Sequence, residues 1–288
     1  MFPTSSAVTQ HVTLVEVIDR LRQRNEVSGI LLMGSVVTGQ FTLKSDYDIL
    51  LVLDHLSTPT KLITTWIEGR FAEIYCTTMA AIERVIAEPE LWEAGSEEEA
   101  LIRWLRDGQV RHDRTGVLQR GQDISRTAPA AVADDVTIYR GWWGIGYNAT
   151  HLRRYASSND PVGQAAANVK LLFCLFQVIA HYFTMRRLPW RGEKAAMRYL
   201  TEHDPGYFAL LQRCLAEPDL IRKVELYEKL AARTVAPVGN FWSREQSATA
   251  IELGWGFGTG QPPLGGEVEE MAAASLNWWR RLIEHPSV

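Results

Sequence analysis

LLMGSVVTGQFTLKSDYDILLVLD, residues 31–54, is the stretch on which the fold turns. Two apolar runs, Leu31–Met33 and Ile49–Leu53, flank a more polar segment. Short apolar runs bounded by turn residues read as buried strands. The first run stops on Gly34-Ser35, and the second is preceded by Asp46 and Asp48. Strand side chains alternate in direction, so Asp46 and Asp48 point to one face. Two such close carboxylates repel each other, and a fold tolerates them more readily with positive charge between them. Lys44 is the one base at a neighbouring same-face position. A hard divalent cation is the natural candidate, since magnesium takes oxygen ligands and keeps waters and substrate phosphates in its shell.

A third acid, Glu73, lies in RFAEIYCTT (70–78), an alternating segment that reads as another strand. A glutamate between apolar residues is unfavourable in a plain core strand. If this strand lies beside the Asp46–Asp48 strand, three acids converge. Three carboxylates can hold two metal ions in the arrangement that serves phosphoryl and nucleotidyl transfer. Gly34-Ser35 then has a role: a strand ending in Gly, with a small hydroxyl residue at a helix start, lets backbone amides approach a phosphate. Ser35 adds its hydroxyl to that turn.

Outward from this core, Leu14, Val15, Ile18 and Leu21 fall on one face of a helix over 13–24. TPTKLITTWIEG (58–69) opens on Thr-Pro and closes on Gly, which predicts a helix. Helices follow at 78–88 and 97–107, and QVRHDR (109–114) is a short extended piece. From about Pro129 the strand-like runs give way to helical patterns over 130–156, 162–187, 193–202, 205–216, 219–233 and 266–284. Proline-containing turns separate several of them. The expected fold class is α+β: a small mixed-sheet domain followed by an all-helical domain, joined near 115–130. Val169–Phe183 is interrupted by Lys170, Gln177 and His181 and reads as a buried helix, too short and polar to span a bilayer.

The 288 residues are 46% hydrophobic and 22% charged, enough to bury a sizeable core in one large or two ordinary domains. A net charge of −4 disfavours a polyanionic partner, which demands a basic face. Residues 1–120 hold 12 bases and 17 acids, and seven of those acids fall between Glu83 and Glu99, a solvated surface by this reading. Cys76, Cys174 and Cys214 lie far apart, without disulfide or zinc spacing, and suit a reducing cytoplasm. The first residues lack a basic start followed by an apolar core, so no signal peptide is expected.

Gly-Ser, ten residues, then Asp-x-Asp before an apolar run, with a third acid on a later strand, resembles the DNA polymerase β-like nucleotidyltransferase superfamily. The matching residues are Gly34, Ser35, Asp46, Asp48 and Glu73. The layout, with its helical second part, resembles the antibiotic-modifying nucleotidyltransferases and their minimal relatives. The minimal toxin–antitoxin type usually carries Arg soon after Gly-Ser, where this chain has Val36, Val37 and Thr38. The resemblance implies a nucleotidyltransferase domain over 1–120 and a helical acceptor domain over 121–288. It implies that Asp46, Asp48 and Glu73 bind two magnesium ions and the nucleoside triphosphate, most simply ATP. An acceptor hydroxyl, on a small molecule such as an antibiotic or on a protein, then attacks the α-phosphate. The implied triphosphate-side residues are Gly34, Ser35, Lys44, Ser45 and, from the helical part, Lys170. The alternative is a nucleotide-binding regulatory or toxin–antitoxin-type partner without turnover, although a pure binder has little need of Glu73.

Each assignment has a bland counterpart. Asp46 and Asp48 read equally as a turn acid and a strand-entry acid, Glu73 as an edge glutamate, Ser35 as an N-cap, and Lys44 and Lys170 as solvated lysines. LPWRGEK (188–194) offers Trp190, Arg191, Glu193 and Lys194 as a functional loop or an ordinary turn. Trp142-Trp143 reads as core. Arg198 and His203 match a ribonuclease spacing that is short enough to arise by chance. The basic and aromatic pattern of a nucleic-acid groove is missing, no membrane partner is expected, and Trp278-Trp279 with the Gly/Pro loop 254–266 is a candidate homodimer contact.

Overall fold

The computed structural model describes residues 12–39, 41–56, 60–90, 92, 95–242, 246–249, 268, 270, 271, 273, 274, 276 and 277. The chain divides into two compact units, Met1–Ala131 and Val132–Val288. The first contains α1 (Leu14–Arg22), β1 (Val27–Met33), α2 (Ser35–Thr38), β2 (Tyr47–Leu53), β3 (Leu62–Ile67), β4 (Arg70–Thr78), α3 (Met79–Ala87), α4 (Glu97–Asp107), β5 (Gln109–Asp113) and α5 (Val117–Thr127). The strands form one mixed sheet in the order β3-β4-β2-β1-β5. Only β2 and β4 run parallel; every other neighbouring pair is antiparallel.

The two central strands are apolar on both faces because both faces are covered. All seven residues of β1 are buried. One face sets Ile30, Leu32, Ile49 and Leu51 against Val17 and Ile18 of α1. The other sets Leu31, Met33, Leu50 and Val52 against Ile82 and Val85 of α3, Leu105 of α4 and Leu118 of α5. Burying each such side chain contributes about 1.5–3 kcal/mol. With the two-residue strand period, Asp46 and Asp48 continue the row of Leu50 and Val52. The acids therefore lie on the face covered by α3, α4 and α5, at the end where the apolar row stops.

One expectation from sequence is corrected here. Residues 58–69 contain no helix among those described: Leu62–Ile67 is β3, antiparallel to β4. Ile63, Thr64, Thr65 and Ile67 are β-branched and pack better on a pleated surface than in a helix. The connecting residues Glu68 and Gly69 both have positive φ, 54° and 71°, the backbone of a tight two-residue hairpin turn. Glu68 accepts hydrogen bonds from Tyr47 Oη (2.7 Å) and from the Leu14 amide (2.9 Å), fixing the turn to β2 and to the start of α1. Within the expected joint at 115–130, Val117–Thr127 is helix α5 of the first unit. Gln122 Nε2 donates to the Leu105 and Gly108 carbonyls at the end of α4 (3.1 and 2.7 Å). Arg106 in turn donates to the Ser125 and Ala128 carbonyls at the end of α5 (2.7 and 3.0 Å). Each helix thus satisfies the other's terminal carbonyls.

The second unit is built from α6 (Asp135–Ala156), α7 (Pro161–Met185), α8 (Glu193–His203), α9 (Pro205–Ala216) and α10 (Leu220–Val235). Aspartates cap four of them: Asp134, Asp160, Asp204 and Asp219 each accept backbone amides of the first turn. Pro161 and Pro205 follow their caps directly, where the missing amide costs nothing. Tyr207 and Tyr227 sit at the centre of a core shared by α6, α7, α9 and α10. The helix expected over 266–284 is helical at the seven described residues between 268 and 277. The rest of it, the loop 254–266 and Trp278-Trp279 lie outside the described residues.

α7 departs from its expected character. It runs 25 residues and buries Ala167, Leu171, Cys174, Leu175 and Val178 on one side only. Val162, Val169, Leu172, Phe173 and Phe176 are exposed. Among the described residues it is the one helix long and apolar enough, by length and composition, to cross a membrane. Apolar composition alone does not say which side of a helix finds a partner, which is why the sequence read as buried throughout.

Candidate active site

The acidic end of the sheet is assembled from three chain segments. Asp46 closes the loop before β2, Asp48 is the second residue of β2, and Glu73 is its register partner on parallel β4. Asp46, Asp48 and Glu73 are half-buried, and each offers a carboxylate oxygen within 4.8 Å of the others. Two unit charges at that separation repel by about 3 kcal/mol at an effective dielectric near 20. Neither Asp46 nor Glu73 forms an ion pair among the described residues. An all-oxygen donor set of this kind fits a hard divalent cation.

The turn after β1 closes the same site. Met33 pairs with Asp48, so the chain leaves β1 beside that carboxylate. Gly34 has φ +66°, and a Cβ there would lie 2.1 Å from Asp48 Oδ2. Both conformation and space demand glycine. Ser35 then opens α2, and its hydroxyl is buried without a hydrogen-bond partner among the described residues. A buried hydroxyl in that state costs free energy until a polar ligand meets it.

Residues 14–96 match the family model of the nucleotidyltransferase domain. These residues, within the first unit, are a nucleotidyltransferase domain. Among solved structures, the chain is similar to a nucleotidyltransferase-like protein from Exiguobacterium sibiricum, at 11% identity and a TM-score of 0.41, over 76% of this chain and 72% of that one. It is also similar to a spectinomycin adenyltransferase from Enterococcus faecialis, solved with ATP and spectinomycin, at 15% identity and a TM-score of 0.26, over 75% of this chain and 96% of that one. No curated protein sequence matches the chain.

Two residues of the nucleotidyltransferase domain gain roles that sequence reasoning missed. Tyr75, read as packing, lies two residues beyond Glu73 on the same face and donates its hydroxyl to Glu73 Oε2 at 3.2 Å. Its ring packs on Trp104, with centroids 4.8 Å apart, so it marks the boundary between the apolar row and the acids. Burial, then the neighbouring Glu73, Asp48 and Asp46 charges, push its phenol up to about 12. The Glu-x-Tyr spacing held that signal. Arg70 had none: its guanidinium donates to the Thr42 carbonyl (2.7 Å) and reaches that of Ser45 (3.4 Å), and it covers the Phe41 ring at 4.6 Å. It pins the loop that delivers Asp46.

The remaining candidates are distributed as follows. Ser45 Oγ accepts from the Thr42 amide at 2.9 Å and lies 3.2 Å from Thr42 Oγ1, an internal brace of the loop. Lys44 is exposed on the turn beside it. Lys170 belongs to the second unit, on α7, with its ammonium 5.9 Å from the Tyr147 ring. In the 188–194 loop, Trp190 packs edgewise on Phe176 and Phe183. Arg191 lines a cavity of about 250 Å3 with Leu188, Pro189 and Tyr199. Trp142 packs against Tyr139 and Trp242, while Trp143 stacks on Tyr147 at 5.0 Å. His203 stacks on Tyr199 at 4.3 Å, and five residues of helix turn it about 140° from Arg198. His151 lies between Tyr147 and Tyr155; burial, then Arg154 and Lys170, lower its imidazole below the ordinary range. Glu83, Glu97, Glu98 and Glu99, from the acidic patch, each meet a cation: Arg120, Lys61, Arg84 and Arg103.

Proposed function

We propose that this nucleotidyltransferase moves a nucleoside monophosphate, AMP from ATP, onto a hydroxyl of a small molecule such as an antibiotic or of a protein, with magnesium as its cofactor. The observation that carries the reading is the convergence of Asp46, Asp48 and Glu73, with carboxylate oxygens within 4.8 Å, beside the Gly34-Ser35 turn. Magnesium, two ions in this reading, is held by Asp46, Asp48 and Glu73; when bound it neutralises the triphosphate and polarises the α-phosphate.

The chain's own residues supply the rest. Gly34 lets the backbone lie against the acids, and the Ser35 hydroxyl donates to a phosphate oxygen. Lys44, from the exposed turn, adds positive charge to the triphosphate, and Ser45 keeps the loop in shape for Asp46. Glu73 completes the acidic set and takes the proton of the acceptor hydroxyl. The acceptor oxygen forms a bond to the α-phosphorus, the bond to the bridging oxygen breaks, and pyrophosphate leaves. Tyr75, protonated throughout the neutral range, holds one Glu73 oxygen by its hydroxyl. The second unit, Val132–Val288, selects the acceptor, and the reaction runs in the cytoplasm.

The test is incubation of the full chain with magnesium and labelled ATP, against an aminoglycoside and lincosamide panel and against cell lysate. Products are searched by mass for the gain of a nucleoside monophosphate. Transfer that disappears in Asp46→Asn supports the reading. ATP binding with no adduct in any fraction, unchanged by Asp46→Asn, rejects it.

A further inference from the structure

Among the described residues, helix α7 leaves most of one face uncovered, with Trp190 set edgewise on Phe176 at its C-terminal end. Over Pro161–Phe176, about four turns, its outward residues carry no charge, and the large ones are between 50% and 73% exposed. Lys170 is the single Lys, Arg, Asp, Glu or His in that span, and its ammonium is turned onto the Tyr147 ring of α6. Gln164 and Asn168, on the flank, donate to the Ser158 and Gln164 carbonyls of their own chain. An uninterrupted apolar stripe of this length on a folded surface marks a binding face.

We propose that this face is where two copies of the chain meet, with their α7 helices antiparallel about a two-fold axis at Val169. The order of side-chain sizes carries the choice of partner. Val169 lies at the middle of the bare span. A two-fold axis there sets each residue opposite the one equally far on the other side of Val169, so Phe173 faces Ala165, Leu172 faces Ala166 and Phe176 faces Val162. Leu172 and Phe173 lie on the C-terminal side of Val169 and Ala165 and Ala166 on the N-terminal side, so beside the axis each copy sets small residues against the other's large ones. Such self-complementarity is what a two-fold interface requires. A parallel pair fails on the same sequence, since it opposes Phe173 to Phe173 and leaves Ala165 over a gap.

The opposite face of α7 argues against a bilayer as the occupant. Gln177 accepts from Asn148 Nδ2 at 2.6 Å, and Tyr182 donates to Asp204 at 3.1 Å. A spanning helix has to satisfy its polar groups inside hydrocarbon, and entry into one would break these bonds.

Equilibrium sedimentation of the full chain tests the proposal. Wild-type protein is expected at twice the chain mass of 32.5 kDa. Val169→Asp sets two carboxylates against each other on the axis and is expected to return the mass to that of one chain, with the far-ultraviolet spectrum unchanged. In a Cys76→Ser background, which removes the one free cysteine that is not buried, Val169→Cys is expected to cross-link to itself under mild oxidation, while the background protein, whose Cys174 and Cys214 are buried, does not. The double variant Ala165→Cys/Phe173→Cys is expected to link as well, copy to copy. A wild-type mass of one chain up to the solubility limit overturns the proposal. So does a dimer that survives Val169→Asp without the 169–169 link, and so does co-flotation of a monomer with phosphatidylcholine vesicles. Should Val169→Asp fail to fold, the two cross-links decide.

Discussion

The two ends of β2 carry the same kind of side chain and treat it in opposite ways. At the far end, Asp54 follows the strand and is closed by the protein itself. Arg114 donates to both of its oxygens at 2.6 Å, and Ser28 donates a further hydrogen bond. These partners, Arg114 first, hold the Asp54 carboxyl below the ordinary range. At the near end, Asp46 and Asp48 stand with Glu73, and Asp46 and Glu73 meet no lysine or arginine among the described residues. One end is a finished ion pair. The other is a set of three acids with oxygens within 4.8 Å of one another, beside a buried serine hydroxyl that has no hydrogen-bond partner among the described residues.

Substitutions at the two ends should therefore separate function from stability. The largest effect is expected for Asp46→Asn, which should lower nucleotidyl transfer by on the order of 10³-fold or more. Its melting temperature should equal or exceed wild type, because the repulsion is relieved. A parallel loss of melting temperature would make Asp46 a structural acid like Asp54. Next, magnesium at a hundredfold excess over its dissociation constant should stabilise the wild-type fold by about 2.7 kcal/mol, read as a rise in melting temperature. Asp46→Asn should lose most of that rise and Asp54→Asn should keep it.

A smaller effect is expected at the turn. Gly34→Ala forces a Cβ against Asp48 and a side chain into a left-handed backbone, at a cost of about 1–2 kcal/mol. Urea unfolding measures this, and magnesium affinity should fall with it. The smallest effect belongs to Asp54. Its carboxyl is depressed in the folded state, so the stability it adds is present above the ordinary carboxylate range and lost as pH falls through the depressed value. Asp54→Asn should flatten the acid limb of the stability curve and leave transfer per folded molecule unchanged. An unaltered acid limb would dissolve the contrast between the ends.

Much of the first unit was legible before any coordinates. The β1 and β2 runs are apolar on both faces, so they could only be central strands. Asp-x-Asp on one face followed from alternation alone. β3 was misread because Thr-Pro and Gly, which bracket a helix, also bracket a strand and its turn. The decisive signal was the β-branched run ahead of Glu68-Gly69. α5 was read as a joint because Gly116, Gly121 and polar residues mask its stripe of Val117, Leu118, Gln122 and Ser125. Gln122 looks polar in sequence, yet it is buried with two carbonyl acceptors. Arg70 left no trace, since its acceptors are backbone oxygens 25 and 28 residues earlier.

By itself, the sequence determined which residues share a face, where helices begin at their aspartate caps, and that Asp46 and Asp48 stand together. Those are properties of the backbone period and of neighbouring residues. The tertiary structure decided that β4 lies parallel to β2, with Glu73 opposite Asp48, and that α7 buries one side and leaves the other bare. No local rule selects a strand's neighbour or a helix's covered side. Both are settled by which arrangement buries the most apolar surface for the whole chain.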